Sequence, residues 1–599
     1  MSYRAPVDDL LFAMRRAAGA AAFEPGGLYA DLDAATAAAT LEQAAKFAET
    51  ALLPLDPIGD REGVTFAAGA VATATGWREA YALWVEGGWN ALAAPPAHGG
   101  MGLPLLLAAA CTEIWNAANI AFALCPLLGQ GAIEAMEIHA SEALKSAYLP
   151  KMISGEWTAT MTLTEPQSGS DLAHLRTRAE RAGDGSYRLF GQKIFITYGE
   201  HDLAENIVHL VLARLPDAPA GTRGISLFLA PKFLPGPDGR PGERNDLRCV
   251  GVERKLGIHG SPTCTMSYGD GGGAIAFLVG RENEGLACMF TMMNNARLSV
   301  GLQGVGLAER ATQKALAYAR ERRQGRGPSG DPAPIIEHPD VVRMVMTMKA
   351  KTAAARAICY LTAAAMDRAR RLEGEAAEAA QERAGLLTPL AKAYSTDIGV
   401  EVASLGVQVH GGMGFIEETG AAQLSRDVRI TPIYEGTNGI QAIDLVTRKL
   451  RLSKGAAVWR EIDDMRADID ALAASNEAVF VNIAGRAAAA VDAFERATDF
   501  LSAAVDPHGQ EALAGATPYL RLFALARGVT LLGAGALAAH RAAAAEAATH
   551  NRIVTARFFA DNLAVAAEGL ERAIVGGGES IIAGLALLSC GGDRTSGRD

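Results

Sequence analysis

Between Thr158 and Val279 the chain changes its hydrophobic period, and a sequence with that break cannot be a single helical bundle. On either side, apolar residues recur at three-to-four spacing, the mark of helices with one buried face. Inside the break, residues 187–197, 206–215 and 223–231 form short runs rich in β-branched and aromatic residues. Turn clusters at 182–185 and 235–239 separate them, and residues 264–268 and 274–279 continue the texture. The pattern predicts an antiparallel β domain. Helices are predicted before it at 41–52, 76–86, 105–118 and 141–152, and after it at 287–323, 340–371, 378–409 and 439–452. Ala-rich helical stretches follow at 457–474, 478–505, 518–548 and 553–575, then a tail, GGDRTSGRD, expected to fray.

The predicted fold is therefore mainly α with a central antiparallel β domain. Its four parts are an N-terminal helical domain (1–157), the β domain (158–284), a helical bundle (285–455) and an added C-terminal helical domain (456–599). Four parts match the length, since 599 residues at ~150 per domain suggest about four. Hydrophobic residues make up 49%, too many for intrinsic disorder. The net charge of −11 argues against a nucleic-acid partner, though a few placed arginines can still hold a small polyanion. Seven scattered cysteines without a CxxC pair encode neither a disulfide framework nor a zinc site, so no metal is expected. Asp8 and Asp9 before a short amphipathic stretch do not read as a secretory signal. No run is expected to reach the ~20 apolar residues of a membrane span. The expectation is a soluble cytoplasmic protein.

Four segments carry residues a scaffold does not need. TEPQSGSD (164–171) offers hydroxyls and backbone N–H groups in a tight turn, suited to a phosphate or a polar ring edge; an ordinary turn would look the same. In FGQKIFITYG (190–199), Phe195 and Thr197 lie two apart on a strand and share a face. That pairing suits stacking plus one hydrogen bond to a flat heteroaromatic ligand, or a plain edge strand. GLQGVG (301–306) mimics a dinucleotide fingerprint, but its glycine spacing is wrong and it lies inside a helical pattern; close helix packing explains it. HGGMG occurs at 98–102 and again at 410–414 with unrelated flanks, so these are independent turns. In RDVRITPIYEGTNGIQ (426–441), Glu435 stands between Tyr434 and Gly436, after an extended stretch at 430–433 and before a helix that Thr437 can cap. A carboxylate there, buried against an apolar ligand, is drawn toward a general base's working range. The plain alternative is a helix-start glutamate favouring the macrodipole.

These segments occur in order with KLGIHGSPTC, NNARLSVGLQGVGLAERA, ARERRQGR and QVHGGMGF, and together they resemble the acyl-CoA dehydrogenase family over residues 41–452. The resemblance extends to the long bacterial subgroup with an added C-terminal helical domain. That subgroup includes enzymes of 3-methylmercaptopropionyl-CoA and broad-range fatty acyl-CoA dehydrogenases. It implies FAD-dependent α,β-dehydrogenation of an acyl-CoA thioester in fatty acid β-oxidation or a related path. Glu435 would be the α-proton base, with hydride going to flavin N5 and electrons to an electron-transfer flavoprotein. By the same resemblance Leu163 and Thr164 would meet the flavin pyrimidine edge, Ser170 its pyrophosphate or the bound thioester, and Phe195 the ring, with Thr197 donating toward N5. Arg322, Gln408 and Gly412 would approach FAD from a neighbouring subunit, with Thr437 and Asn438 also touching it. Arg297 would lie near CoA and the base, with Tyr434 and Gly436 beside the thioester. A homodimer is expected, the added domain covering the surface that shorter relatives use for tetramer contacts. An oxidase using O2 is an alternative, as is a non-catalytic DNA-binding or scaffold relative, which the acidic charge disfavours. Three positions depart from the family pattern: Gly325 replaces its aromatic, Pro339 its glutamine, and Asn294 stands where an acidic residue is common.

Overall fold

The computed structural model describes residues 3–24, 26–30, 32–504, 506, 508–542 and 545–589. The tail expected to fray lies outside the described residues. Two compact units emerge: Met1–Leu11 with Phe23–Arg310 and Gly412–Ile430, and Phe12–Ala22 with Ala311–Gly411 and Thr431–Asp599.

The first unit opens with helices α1 (Val7–Ala18, which runs on into the second unit), α2 (Ala34–Phe47), α3 (Asp56–Glu62), α4 (Trp77–Glu86), α5 (Leu105–His139) and α6 (Glu142–Ser154). A small hairpin, β1 (Thr65–Ala67) and β2 (Ala70–Ala72), interrupts them. Periodicity ends a helix at Ala118, yet α5 continues to His139. Asn119 alone leaves helical geometry (φ −160°, ψ 92°), and its Oδ1 accepts from the Phe122 N–H at 3.0 Å. That bond caps the next turn, so the helix restarts.

The β domain holds β3 (Trp157–Thr162), β4 (Arg178–Arg181), β5 (Tyr187–Thr197), β6 (Asn206–Arg214), β7 (Ile225–Pro231), β8 (Phe233–Pro235), β9 (Pro241–Arg244), β10 (Leu247–Val252), β11 (Thr263–Tyr268) and β12 (Ala274–Val279). The main sheet runs β10-β11-β5-β12-β7-β6-β3, with β4 beside β5. Neighbouring strands are antiparallel except at β6, which has two parallel partners: β3, Trp157 opposite Asn206 through Thr162 opposite Val211, and β4, Arg178 opposite Arg214. A parallel neighbour needs a long crossover, and here the segment after β3 begins with the TEPQSGSD turn. Both faces of β6 are buried: Val208, Leu210 and Leu212 enter a core shared with α5 and α6, and Val211 and Ala213 enter a second core with Phe228. β3 is buried along its whole length and so shows no alternation.

Helix α7 (Gly285–Glu321) leaves the sheet and contains the GLQGVG segment. A Cβ on Gly306 would stand 2.7 Å from the Glu113 carbonyl of α5, so the glycine serves close helix contact, as expected. The short α10 (Ala421–Val428) also belongs to this unit.

The second unit is helical. The long α8 (Pro339–Arg371) and α9 (Gly374–His410) pack together, and α11 (Asn438–Thr447) packs on α9. The added block contributes α12 (Ala456–Ala473), α13 (Ala478–Ser502), α14 (Gln510–Ala514), α15 (Ala516–Arg541), α16 (Glu546–Asn562), α17 (Ala567–Gly576) and α18 (Gly578–Ser589). Helix α15 is its centre, contacting α8, α11, α12, α13, α16 and α17. One expectation is corrected here. By length and composition α5 and α15 are each long and apolar enough to cross a membrane, with 100% and 78% of the apolar window buried inside the protein. A helix that is hydrophobic all round belongs to a core or to a membrane span, and hydropathy is the same for both.

Candidate active site

In the first unit, the turn after β3 is tied to β5. Glu165 and Ser168 exchange backbone hydrogen bonds (3.0 and 2.9 Å), and Ser168 Oγ donates to the Asp171 carbonyl at 2.7 Å. Beneath the turn lies a buried ion pair that sequence reading missed. Lys193 Nζ donates to Glu165 Oε1 at 2.9 Å and to the Leu163 carbonyl at 2.8 Å. Glu165 also accepts from Thr177 Oγ1 (2.6 Å), the Thr177 N–H (2.9 Å), the Arg176 N–H (2.7 Å) and Gln167 Nε2 (2.6 Å). Burial works against its ionisation, but Lys193 and these donors prevail and hold it at about 2. Burial draws Lys193 down to about 8 against the pull of Glu165. The pair is charged near neutral pH.

Strand β5 does not alternate simply. Thr197 pairs with Thr263, Ile196 with Cys264, and Lys193 with Met266, so Ile194 and Phe195 together face Thr265. This bulge puts Phe195 in the left-handed region (φ 60°). Lys193 and Ile196 therefore turn inward, while Phe195 is 58% exposed and Thr197 half-buried. Leu163 and Thr164 are half-buried, the Thr164 carbonyl accepts from the Ile194 N–H at 2.9 Å, and Ser170 is exposed. The structure thus brings Leu163, Thr164, Phe195 and Thr197 together. Arg297 on α7 is buried, reaching Asn294 Oδ1 at 3.4 Å with its guanidinium over the Phe290 ring.

In the second unit, residues 431–437 form turns, where an extended stretch was expected at 430–433. Pro432 has no N–H for a ladder, and its carbonyl accepts from the Asn438 N–H at 3.0 Å, closing the turn. Glu435 (φ 55°) and Gly436 (φ 84°) are consecutive left-handed residues. The Glu435 carbonyl accepts from Gln441 Nε2 at 3.4 Å, and Thr437 Oγ1 caps α11 through the Ile440 N–H at 3.3 Å. The Asn438 side chain bonds buried Lys392 Nζ (2.9 Å) and Asp397 Oδ1 (2.7 Å), anchoring the turn to α9. Tyr434 and Glu435 are half-buried. Arg322 and Gln408 are exposed near the ends of α7 and α9, and Gly412, also exposed, belongs to the first unit.

Domain models of known families cover most of the chain. The acyl-CoA dehydrogenase N-terminal domain matches residues 35–156, the middle domain 160–270 and the C-terminal domain 283–450; the acetyl-CoA dehydrogenase C-terminal-like domain matches 462–584. The 3-methylmercaptopropionyl-CoA dehydrogenase of Ruegeria pomeroyi is 46% identical over 588 residues, 97% of this chain and 99% of the relative. The chain belongs to the acyl-CoA dehydrogenase family. As a member of the acyl-CoA dehydrogenases it is an oxidoreductase, and FAD is its cofactor. Two solved structures share the fold. Caenorhabditis elegans ACDH-11 in complex with C11-CoA gives a TM-score of 0.80 at 18% identity, covering 100% of this chain and 96% of that one. An acyl-CoA dehydrogenase complexed with FAD from Bacillus anthracis gives 0.72 at 22% identity, covering 94% and 92%.

The β5 surface of this acyl-CoA dehydrogenase fits a flavin. An exposed aromatic stands beside a hydroxyl, and no protein acceptor among the described residues takes the Thr164 N–H. The departure at Gly325 lies in a closed loop, where the Gln324 N–H donates to the Ala333 carbonyl and the Ala333 N–H to the Gly325 carbonyl (2.9 Å each).

The first unit also holds a buried acid cluster that no sequence motif announced. Asp56 pairs with Arg310 at 2.9 Å, and Gln423 Nε2 donates to Asp56 Oδ2 (3.1 Å) and Asp427 Oδ2 (3.3 Å). Asp427 Oδ1 accepts from the Ile258 N–H at 2.5 Å, fixing the KLGIHG turn, where Ile258 is left-handed (φ 48°). Burial first, then Asp56, pushes Asp427 up to about 7. The folded protein then keeps a proton that the unfolded chain has already released at lower pH, so stability from this group falls as pH rises toward 7. Asp427→Asn preserves the acceptor for Ile258 and is expected to flatten the fall in melting temperature between about pH 5 and pH 7.5. An unchanged slope in thermal melts would remove Asp427 as its source.

Proposed function

We propose that this chain converts an acyl-CoA thioester to the trans-2-enoyl-CoA, with Glu435 as the base that removes the α-proton. The carrying observation is the left-handed Glu435–Gly436 pair, locked by the Pro432–Asn438 closure and the Thr437 cap. A non-glycine residue in that region is strained, and a fixed turn gives its carboxylate one aim. An α-C–H is a very weak acid, so the thioester oxygen must receive hydrogen bonds as enolate character grows. The Glu435 backbone N–H supplies one, with Gly436 leaving room for the thioester beside Tyr434. FAD, when bound, supplies the acceptor for the β-hydride. Leu163, Thr164, Phe195 and Thr197 hold its ring, Ser170, Thr437 and Asn438 touch other parts of it, and Arg322, Gln408 and Gly412 serve the FAD of the neighbouring subunit. Arg297 meets the anionic CoA, which the overall charge of −11 cannot attract.

Electrons leave to an electron-transfer flavoprotein, in the cytoplasm, from a homodimer. The test is a bleaching screen of flavin absorbance across acyl-CoA lengths, with 3-methylmercaptopropionyl-CoA among them. Bleaching by at least one thioester without peroxide in air supports the reading. No bleaching by any of them ends it, and stoichiometric peroxide makes the enzyme an oxidase. Light scattering at tetramer mass would contradict the dimer.

A further inference from the structure

Lys193 is 0% exposed, and among the described residues its partners are Glu165 and the Leu163 carbonyl. Burying an ammonium is costly, and an apolar side chain of similar volume commonly packs as well or better. What an apolar residue cannot do is fix the direction of a carbonyl. The 163–164 peptide is planar and trans, so drawing the Leu163 C=O inward onto Lys193 turns the Thr164 N–H the opposite way. The next peptide is fixed too, because the Thr164 carbonyl accepts from the Ile194 N–H. The bulge at Ile194 and Phe195 lets one strand do both jobs: Lys193 points in to lock the turn, and two residues on Phe195 points out.

We propose that Lys193, paired with Glu165, is a positioning residue for the pyrimidine edge of the flavin. It acts through the Leu163 carbonyl to aim the Thr164 N–H at a ring carbonyl or ring nitrogen. This rests on the flavin placement proposed above. An N–H so aimed favours negative charge on that edge, which grows on reduction, so the pair also raises the reduction potential of bound FAD.

The test uses Lys193→Met, Lys193→Gln and, as a control, Leu227→Ala in the buried face of β7. Leu227→Ala removes packing from the core on which Leu163 also rests, while leaving in place the hydrogen bonds of Lys193 to Glu165 and to the Leu163 carbonyl. Apoprotein is titrated with FAD, and the absorption spectrum and midpoint potential of the bound flavin are recorded. Lys193→Met is expected to bind FAD about tenfold more weakly or worse, the loss of a charged hydrogen bond. A further tenfold bias against the reduced form would lower the potential by about 30 mV. Lys193→Gln, which keeps a donor on a shorter, uncharged arm, should recover part of both and still bind FAD more than about twofold more weakly than wild type. Leu227→Ala should lose melting temperature yet keep wild-type affinity and potential. Two results overturn the proposal: Lys193→Met within about twofold of wild type with its potential unmoved, or Leu227→Ala losing FAD equally. If Lys193→Met does not fold, Lys193→Gln is judged against the same two results. A wild-type apoprotein that takes no FAD defeats the functional reading itself; unchanged variants beside a wild type that binds FAD defeat only this proposal.

Discussion

Glu435→Gln is expected to lower the rate of flavin bleaching by acyl-CoA by about 10²–10⁴-fold, the usual contribution of a positioned general base. The amide matches the carboxylate in size and adopts the same left-handed backbone, so the turn should persist. What holds the turn lies elsewhere: the Asn438 N–H on the Pro432 carbonyl, the Thr437 cap, and the Asn438 side chain on Lys392. FAD content and circular dichroism should therefore match wild type while the proton-transfer step fails. Glycine suits a φ of 55° better than glutamate does, so Glu435→Gly should leave the fold at least as stable and be equally inactive. Stopped-flow traces are the measurement. A Glu435→Gln protein that bleaches at the wild-type rate would transfer the base to another residue.

Much of this is legible in the sequence because it rests on local chemistry. The helix–sheet–helix layout follows from a change of period, and the Thr437 cap from a hydroxyl placed before an apolar run. Gly306 is readable as a packing glycine because its helical context rules out a phosphate loop. What escapes depends on contacts distant in sequence. Lys193 sits in a run that reads as an ordinary strand, and only its meeting with Glu165, 28 residues earlier, makes it a buried ion. The bulge that separates Lys193 from Phe195 is set by the partner strand. The restart at Asn119 is the exception, since its bond to the Phe122 N–H spans three residues and is a local N-cap signal. The apolar length of α5 and α15 is easily underestimated because alanine and glycine dilute it to the eye, while their sum is that of a span.

The second large effect is expected in the added C-terminal block, at Glu461. This carboxylate is 2% exposed and lies between two guanidiniums, Arg383 Nε of α9 at 2.9 Å and Arg527 Nε of α15 at 2.8 Å. Arg383 also meets Asp464 at 2.8 Å, and Arg527, itself 5% exposed, meets Asp468 at 3.1 Å. The cluster joins α9, α12 and α15, so one side chain ties the bundle helix that carries Lys392 to the centre of the added block. Glu461→Gln leaves buried Arg527 and half-buried Arg383 facing a neutral amide, and breaking the buried Glu461–Arg527 pair in this way costs about 3–5 kcal/mol. Arg527→Met should cost less, since Glu461 keeps Arg383 and Asp468 is partly open to water. Urea denaturation followed by circular dichroism measures both. Glu461→Gln should lower the midpoint of the transition that includes α12 without changing the flavin spectrum of the folded protein, because none of these residues is among those proposed to hold the flavin or the thioester. A midpoint within experimental error of wild type would mean that the cluster contributes specificity of packing and little stability, as replaceable buried ion pairs do.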